Sequence, residues 1–326
     1  MADGVPAGDA LSLPDLAAIR AAQARIAPYV QRTPVMTCRV LDDAVGARLF
    51  FKCENFQEVG AFKARGACNA VFALSDDAAR RGVVTHSSGN HGAALAYAAQ
   101  RRGIPAYVVM PASAPKIKQA NVARFGATVR LSGSNLRDRE QACADVARET
   151  GAALIHPYDN VDVIAGQGTA MLELLDDVPD LEIVIAPVGG GGLLSGTAIA
   201  ATAARPGIVV YGAEPAGADD ATRSFASGTV EPMAHPATMA DGLRSSLSER
   251  TLRALRTHVT LLGTASEEGI ARAMRLTWEW MKIIIEPSSA VPLACLIERT
   301  LDVSGKRAGI VLTGGNVDLD ALPWQR

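Results

Sequence analysis

The chain is expected to fold as an α/β protein with mostly parallel sheets covered by helices. The main reason is a repeated alternation of short apolar runs with alanine-rich amphipathic segments. Composition agrees, at 48% hydrophobic, only 5% aromatic and 30 glycines, which suits closely packed strands and helices. The apolar runs also end repeatedly in polar, glycine-bearing turns, the usual place for ligands in open α/β sheets.

Residues 14–30 read as a helix with Leu16, Ile19, Ala22 and Ile26 on one face, and 48–53 as a strand. A helix follows over 63–74, then strand 82–85 and helix 91–102 closed by Gly103. Strand 105–110, helix 114–125, strand 128–131, helix 136–150 and strand 153–156 continue the rhythm. Helix 165–175, strand 182–187, helix 193–204 and strand 208–213 repeat it, and helices 266–281 and 288–301 lead to strand 310–313. A small inserted α/β domain is placed at 82–159, with 1–75 and 160–326 forming a large domain.

A formal charge of −2 makes no case for nucleic acid or an anionic membrane as partner. No apolar run reaches transmembrane length, and the acidic N-terminus lacks the basic region of a secretory signal. Five scattered cysteines without CxxC spacing argue against a disulfide framework or structural zinc and fit a reducing cytoplasm.

Lys63 is one of six lysines against 26 arginines. An amine can lose its proton and attack a carbonyl, whereas a guanidinium stays charged, so Lys63 is a candidate for Schiff-base chemistry. The competing reading is a surface lysine. Gly189, Gly190, Gly191 and Gly192 lie between an apolar strand and a helix, where successive N–H groups and the helix dipole suit a fixed phosphate. The run lacks the Lys-Ser/Thr of a nucleotide loop. Ser87, Ser88, Asn90 and His91 form a third turn able to hold a carboxylate, against plain helix capping. Thr313 to Asn316 supplies a fourth polar turn, with a group for a cofactor ring.

With these motifs in order, the chain resembles the fold-type II pyridoxal phosphate (PLP) enzymes of the threonine dehydratase and serine racemase group, which share the tryptophan synthase β-like fold. The likeness runs from Ile19 to Trp324, through Lys52 to Gln57, Gly60 to Lys63, Ser87 to His91, Ala165 to Thr169, Gly189 to Gly192 and Thr313 to Asn316. It implies two open, twisted, mostly parallel sheets flanked by helices. It implies that Lys63 binds PLP and moves protons at the substrate α-carbon, with Phe62 against the ring and Asn90 at the ring hydroxyl. Gly189 to Gly192 and Leu193 would bind the phosphate, and Thr313 would face the pyridine nitrogen. Ser87, Ser88, Asn90 and His91 would surround the substrate carboxylate, with Ser88 as a second proton carrier. Glu214, Ala218 and Asp220 match the group's divalent-metal loop and imply Mg²⁺, Ca²⁺ or Mn²⁺. An acidic helix-capping loop is the competing reading.

The reaction implied is β-elimination from a β-hydroxy amino acid, such as threonine, serine or 3-hydroxyaspartate, to a keto acid and ammonia. The alternatives are a serine- or aspartate-type racemase and a non-catalytic PLP-binding protein. Glu286 to Leu293 and Thr313 to Trp324 resemble bacterial 3-hydroxyaspartate dehydratases. A second substrate carboxylate would need Arg139 or Arg244, each otherwise a surface arginine. Tyr158 departs from the asparagine of animal serine racemases, which weakens a pure racemase reading. The resemblance also implies a homodimer.

Overall fold

The computed structural model describes residues 11–325 except 88, 113, 115 and 134, with backbone only at 116–118 and 136. The elements run α1 (Leu16–Ile26), β1 (Val35–Met36), α2 (Arg39–Val45), β2 (Arg48–Cys53), α3 (Lys63–Ala73), α4 (Asp76–Arg80), β3 (Val83–His86) and α5 (Asn90–Arg102). Next come β4 (Ala106–Pro111), α6 (Lys116–Ala123), β5 (Thr128–Ser132), α7 (Leu136–Thr150), β6 (Ala153–Leu154) and α8 (Val161–Asp177). The remainder is β7 (Ile183–Pro187), α9 (Gly192–Ala204), β8 (Val209–Pro215), α10 (Asp220–Ser227), α11 (Glu249–His258), β9 (Leu261–Ala265), α12 (Glu267–Met281), α13 (Pro287–Ile297) and β10 (Arg307–Leu312).

The strands form two sheets, ordered β1-β2-β10-β7-β8-β9 and β5-β4-β3-β6. Every pairing is parallel except β1 with β2. The α/β expectation therefore holds. All five residues of β7 are buried, as a central parallel strand covered on both faces requires. Its three branched side chains each contribute roughly 1.5–3 kcal/mol by leaving water.

Differences from the sequence reading lie at ends and edges. Helix α1 stops at Ile26 with Ala27 as its C-cap, because Pro28 has no N–H to extend the ladder. Edge strand β9 and the polar helices α10 and α11 were not anticipated. The run Leu261–Ala265 has no period-2 alternation to announce it.

Glycines bring α3, α8 and α9 unusually close. A Cβ on Gly166 would stand 2.6 Å from the Gly66 Cα, and one on Gly196 would stand 2.3 Å from the Ile164 carbonyl oxygen. The helix that begins with Lys63 and the helix that begins with Gly192 are thus both clamped against α8. This is the physical reason for the Ala165-Gly166-Gln167-Gly168 segment.

Candidate active site

Two chain turns far apart in sequence are stitched together around Lys63. The Phe62 N–H donates to the Thr313 carbonyl at 2.9 Å, and Ala61 bridges Gly314 in antiparallel fashion. Lys63 is the first residue of α3, half-buried, with Nζ 5.1 Å from the centre of the Phe62 ring. Its ammonium donates to the Pro157 carbonyl at 3.0 Å. Burial pushes the amine down to about 8, and the Glu286 charge acts the other way. A lysine in this state yields a free amine near neutral pH far more readily than a solvated one.

Pro157 leads into Tyr158, whose ring lies on the glycine loop. A Cβ on Gly190 would stand 2.3–2.4 Å from three Tyr158 ring atoms, and one on Gly192 would stand 2.8 Å from the Tyr158 Cβ. Gly191 has a φ of +87° and caps α9 with no side-chain hydrogen bond. The N-terminus of a 13-residue helix, α9, therefore meets a loop whose own residues carry no side chains, with the Tyr158 ring packed on Gly190. Leu193, in the first turn, is buried. This cradle fits a phosphate group.

Thr313 is buried at the end of β10, and its Oγ1 lies 2.9 Å from Ser289 Oγ. Ser289 also accepts from the Gly314 N–H at 2.8 Å, so it fixes the position of the threonine hydroxyl. Asn90 opens α5 rather than capping it. The cap is Gly89, which has no side chain to bond the helix start. Asn90 Nδ2 donates to both Glu286 oxygens at 3.0 and 3.1 Å, and its Oδ1 accepts from Asn316 Nδ2 at 2.9 Å. Ser87 Oγ accepts from the Gly89 N–H at 3.3 Å. Ser88 lies outside the described residues. His91 is buried with Nε2 3.3 Å from the Ile155 carbonyl oxygen, and its Nδ1 finds no partner among the described residues.

His86 and His156 meet edge to face at 5.4 Å, and His156 meets Tyr158 at 4.6 Å. Burial lowers both histidines to about 4, helped by the Arg139 charge at His86 and by His86 at His156. His91 is also held well below the usual range by burial and then by Lys63, so these rings are neutral at pH 7. Burial raises the Tyr158 phenol to about 12. Arg139 is half-buried and donates to the Asn135 carbonyl at 3.4 Å, while its charge reaches His86 and Tyr158. Arg244 is exposed and donates through Nε to the Thr238 carbonyl at 3.0 Å. The Arg139 charge thus acts on the histidine and tyrosine wall, while Arg244 follows Leu243, whose Cα would stand 3.0 Å from a Cβ on Gly189.

Glu214 is buried at the end of β8 and accepts from the Ala221 and Thr222 N–H groups at 2.9 and 2.8 Å. Asp220 is fully buried, and neither carboxylate oxygen has a hydrogen-bond partner among the described residues. Burial raises Glu214 to about 8 and Asp220 to about 7. The Asp220 and Leu247 N–H groups moderate the rise at Asp220 without meeting hydrogen-bond geometry. Ala218 lies in the buried turn between these carboxylates in sequence. No group of three or more His, Cys, Asp or Glu side chains that could hold a metal occurs among the described residues.

The family described as pyridoxal-phosphate dependent enzyme matches residues 26–314. The chain belongs to this family. It is 49% identical to the β-hydroxyaspartate dehydratase of Paracoccus denitrificans (strain Pd 1222), over 93% of this chain and 96% of that one. It is 45% identical to the L-threo-3-hydroxyaspartate ammonia-lyase of Saccharomyces cerevisiae, over 90% and 91% of the two chains. The structure of maize serine racemase superposes with a TM-score of 0.93 at 46% identity, covering 96% of this chain and 97% of that one. The fold-type II assignment therefore stands, and PLP is the cofactor. Among the described residues, no helix is long and apolar enough to cross a membrane.

Three groups at the site escaped the sequence reading as site residues. Glu286 was noticed only as part of a segment, and neither Ser289 nor the Pro157 carbonyl was singled out. A buried glutamate preceding a proline-led helix start was available as a signal for Glu286. A backbone carbonyl leaves no signal in sequence.

Proposed function

We propose that this PLP-dependent enzyme is a carbon–nitrogen lyase that eliminates water and then ammonia from β-hydroxy amino acids, with 3-hydroxyaspartate, serine and threonine as the substrate class. The observation that carries it is the half-buried Lys63 amine, held by the Pro157 carbonyl beside a run of four glycines at the N-terminus of α9. The likeness to two enzymes named for hydroxyaspartate supports the substrate class.

In this reading Lys63 would hold the cofactor aldehyde, with Phe62 and Asn90 lining its ring. Gly189 to Gly192 and Leu193 would hold the phosphate, and Thr313, set by Ser289, would serve the ring nitrogen as a neutral partner. Bound PLP supplies the electron sink that makes the α-carbon acidic. Once the substrate amine has taken its place on the cofactor, the freed Lys63 amine would take the α-proton, and with a proton passed to it the β-hydroxyl would leave as water. The released enamine becomes an imine, which water hydrolyses to a keto acid and ammonia. Ser87, Ser88, Asn90 and His91 orient the substrate carboxylate, and Arg139 with Tyr158 discriminates at the β-carbon. Neutral His86 and His156 support that wall without adding charge.

Two unpartnered, buried Asp220 oxygens beside Glu214 fit a hard divalent cation such as Mg²⁺, completed by the Ala218 carbonyl and waters. We further read residues 82–159 as a small lobe inserted into the large one, the chain as a homodimer and its compartment as the cytoplasm. The likeness to maize serine racemase favours racemisation as a second reading, with Ser88 as the opposite proton carrier.

The test is keto-acid release from L-serine, L-threonine and each 3-hydroxyaspartate isomer by the PLP-loaded enzyme. Absence of product from all of them refutes the lyase reading. D-isomer formation without keto acid transfers the assignment to racemisation.

A further inference from the structure

We infer that Glu286 is a positioning residue that fixes the start of helix α5, and with it the Asn90 turn, against the cofactor-binding sheet. The inference rests on the reading in which Asn90 faces PLP.

The geometry is a polar chain across the two sheets. Asn90 follows β3 of the four-stranded sheet, whereas Glu286 precedes α13 and Asn316 follows β10 of the six-stranded one. Glu286 is only 4% exposed, and its own N–H donates to the Gly314 carbonyl at 3.0 Å. Its two oxygens accept from Asn90 Nδ2 at 3.0 and 3.1 Å. Asn90 Oδ1 accepts from Asn316 Nδ2 at 2.9 Å, and the same Nδ2 donates to the Val59 carbonyl at 2.8 Å.

Each end of the Asn90 amide is thereby dictated. An ionised carboxylate can only accept and an amide nitrogen can only donate, so a flipped Asn90 would face an acceptor with an acceptor and a donor with a donor. The N-cap of α5 is a glycine and supplies no side chain for this work. The negative charge of Glu286 near a helix N-terminus also opposes the dipole favourably. Glycines leave the chain its room. A Cβ on Gly60 would stand 2.7 Å from Asn316 Oδ1, and one on Gly314 would stand 3.0 Å from Glu286 Oε1. Asn90 Oδ1 keeps a second lone pair for the cofactor hydroxyl.

Glutamine at 286 can still accept from Asn90 but carries no charge, so it separates positioning from electrostatic chemistry. Three variants, Glu286→Ala, Glu286→Gln and Asn316→Ala, are compared for hydrogen exchange at residues 89–93 without cofactor and for kcat and KM with PLP. In Glu286→Ala, exchange at 89–93 should rise at least about 5-fold and kcat/KM fall roughly 10- to 100-fold, the scale of a lost charged hydrogen bond. Glu286→Gln should return kcat/KM to within about 3-fold of the parent. Asn316 is exposed, so Asn316→Ala tests the other end of the chain without a core defect and should raise exchange in the same segment. The inference is overturned if Gln is as impaired as Ala, or if exchange at 89–93 is unchanged in the alanine variants. The exchange measurement needs no turnover, so it decides this point even if the lyase reading fails.

Discussion

Replacing Arg65 by Leu should destabilise the protein by about 3–5 kcal/mol, the scale for leaving a buried charge uncompensated. Arg65 lies two residues after Lys63 and is fully buried with Lys52 and Glu54. Its Nε and Nη2 donate to the two Glu54 oxygens at 2.7 and 2.9 Å. Its Nη1 and Nη2 donate to the two Glu173 oxygens at 2.7 and 2.8 Å. Lys52 also meets Glu173 at 2.7 Å, so two cations face two carboxylates. Leucine removes one cation and strands both forks. Lysine at 65 restores charge but cannot bond two carboxylates bidentately, so its cost should be intermediate.

Urea unfolding followed by circular dichroism checks the magnitude. With a slope of about 3 kcal/mol per M, the midpoint should fall by about 1 to 1.7 M. The pH dependence has a fixed sign. Burial opposes ionisation of Glu173, but Arg65 and then Lys52 hold its carboxyl below the usual range. A depressed carboxyl stabilises above its unfolded pKa, about 4.3, and loses that contribution as pH falls through the folded value. The difference between parent and variant should therefore be largest near neutrality and shrink below about pH 4. A midpoint shift under about 0.3 M at pH 7 would refute the reasoning, because the two carboxylates would then have found other partners.

Lys63→Ala should abolish turnover on every substrate while leaving the melting temperature within a few degrees, and retained activity would remove Lys63 from the chemistry. Capture of PLP by the cofactor-free protein, followed by absorbance, should speed up about tenfold per pH unit below about 8 and level off above it, since only the neutral Lys63 amine attacks. Gly190→Ala should weaken PLP binding by about tenfold or more, because its Cβ would stand 2.3 Å from the Tyr158 ring, and a cofactor titration reads this directly. Added Mg²⁺ or Ca²⁺ should raise the melting temperature of the parent, and Asp220→Asn should erase the response. Equal responses in both proteins would place the cation elsewhere.

Much of the site was legible because its chemistry sits in short contiguous runs. Lys63 stood out by residue usage, and Gly189 to Gly192 by a strand-to-helix position that suits an anion held by the backbone, a tight structural turn being the other reading. Alternating apolar and alanine-rich segments sufficed for the sheet class, since a parallel strand buried on both faces must be continuously apolar. Edge strand β9 was not legible, because an edge needs no such pattern. The neighbours of Arg139 and Arg244 were not legible either, since both are arginines in polar segments until the fold sets what they bond.

By itself, then, the sequence determined the sheet-and-helix class, the candidate lysine and the candidate phosphate cradle, because local spacing and residue chemistry single out each of them. Only the tertiary structure decided what surrounds them. Glu286 reaches Asn90 across 196 residues, Arg65 reaches Glu173 across 108 and Lys63 reaches the Pro157 carbonyl across 94. Hydrogen bonds of that span have no local signature. They exist because the packing of α3, α8 and α9 and the meeting of turns from both sheets bring these buried and half-buried polar groups together.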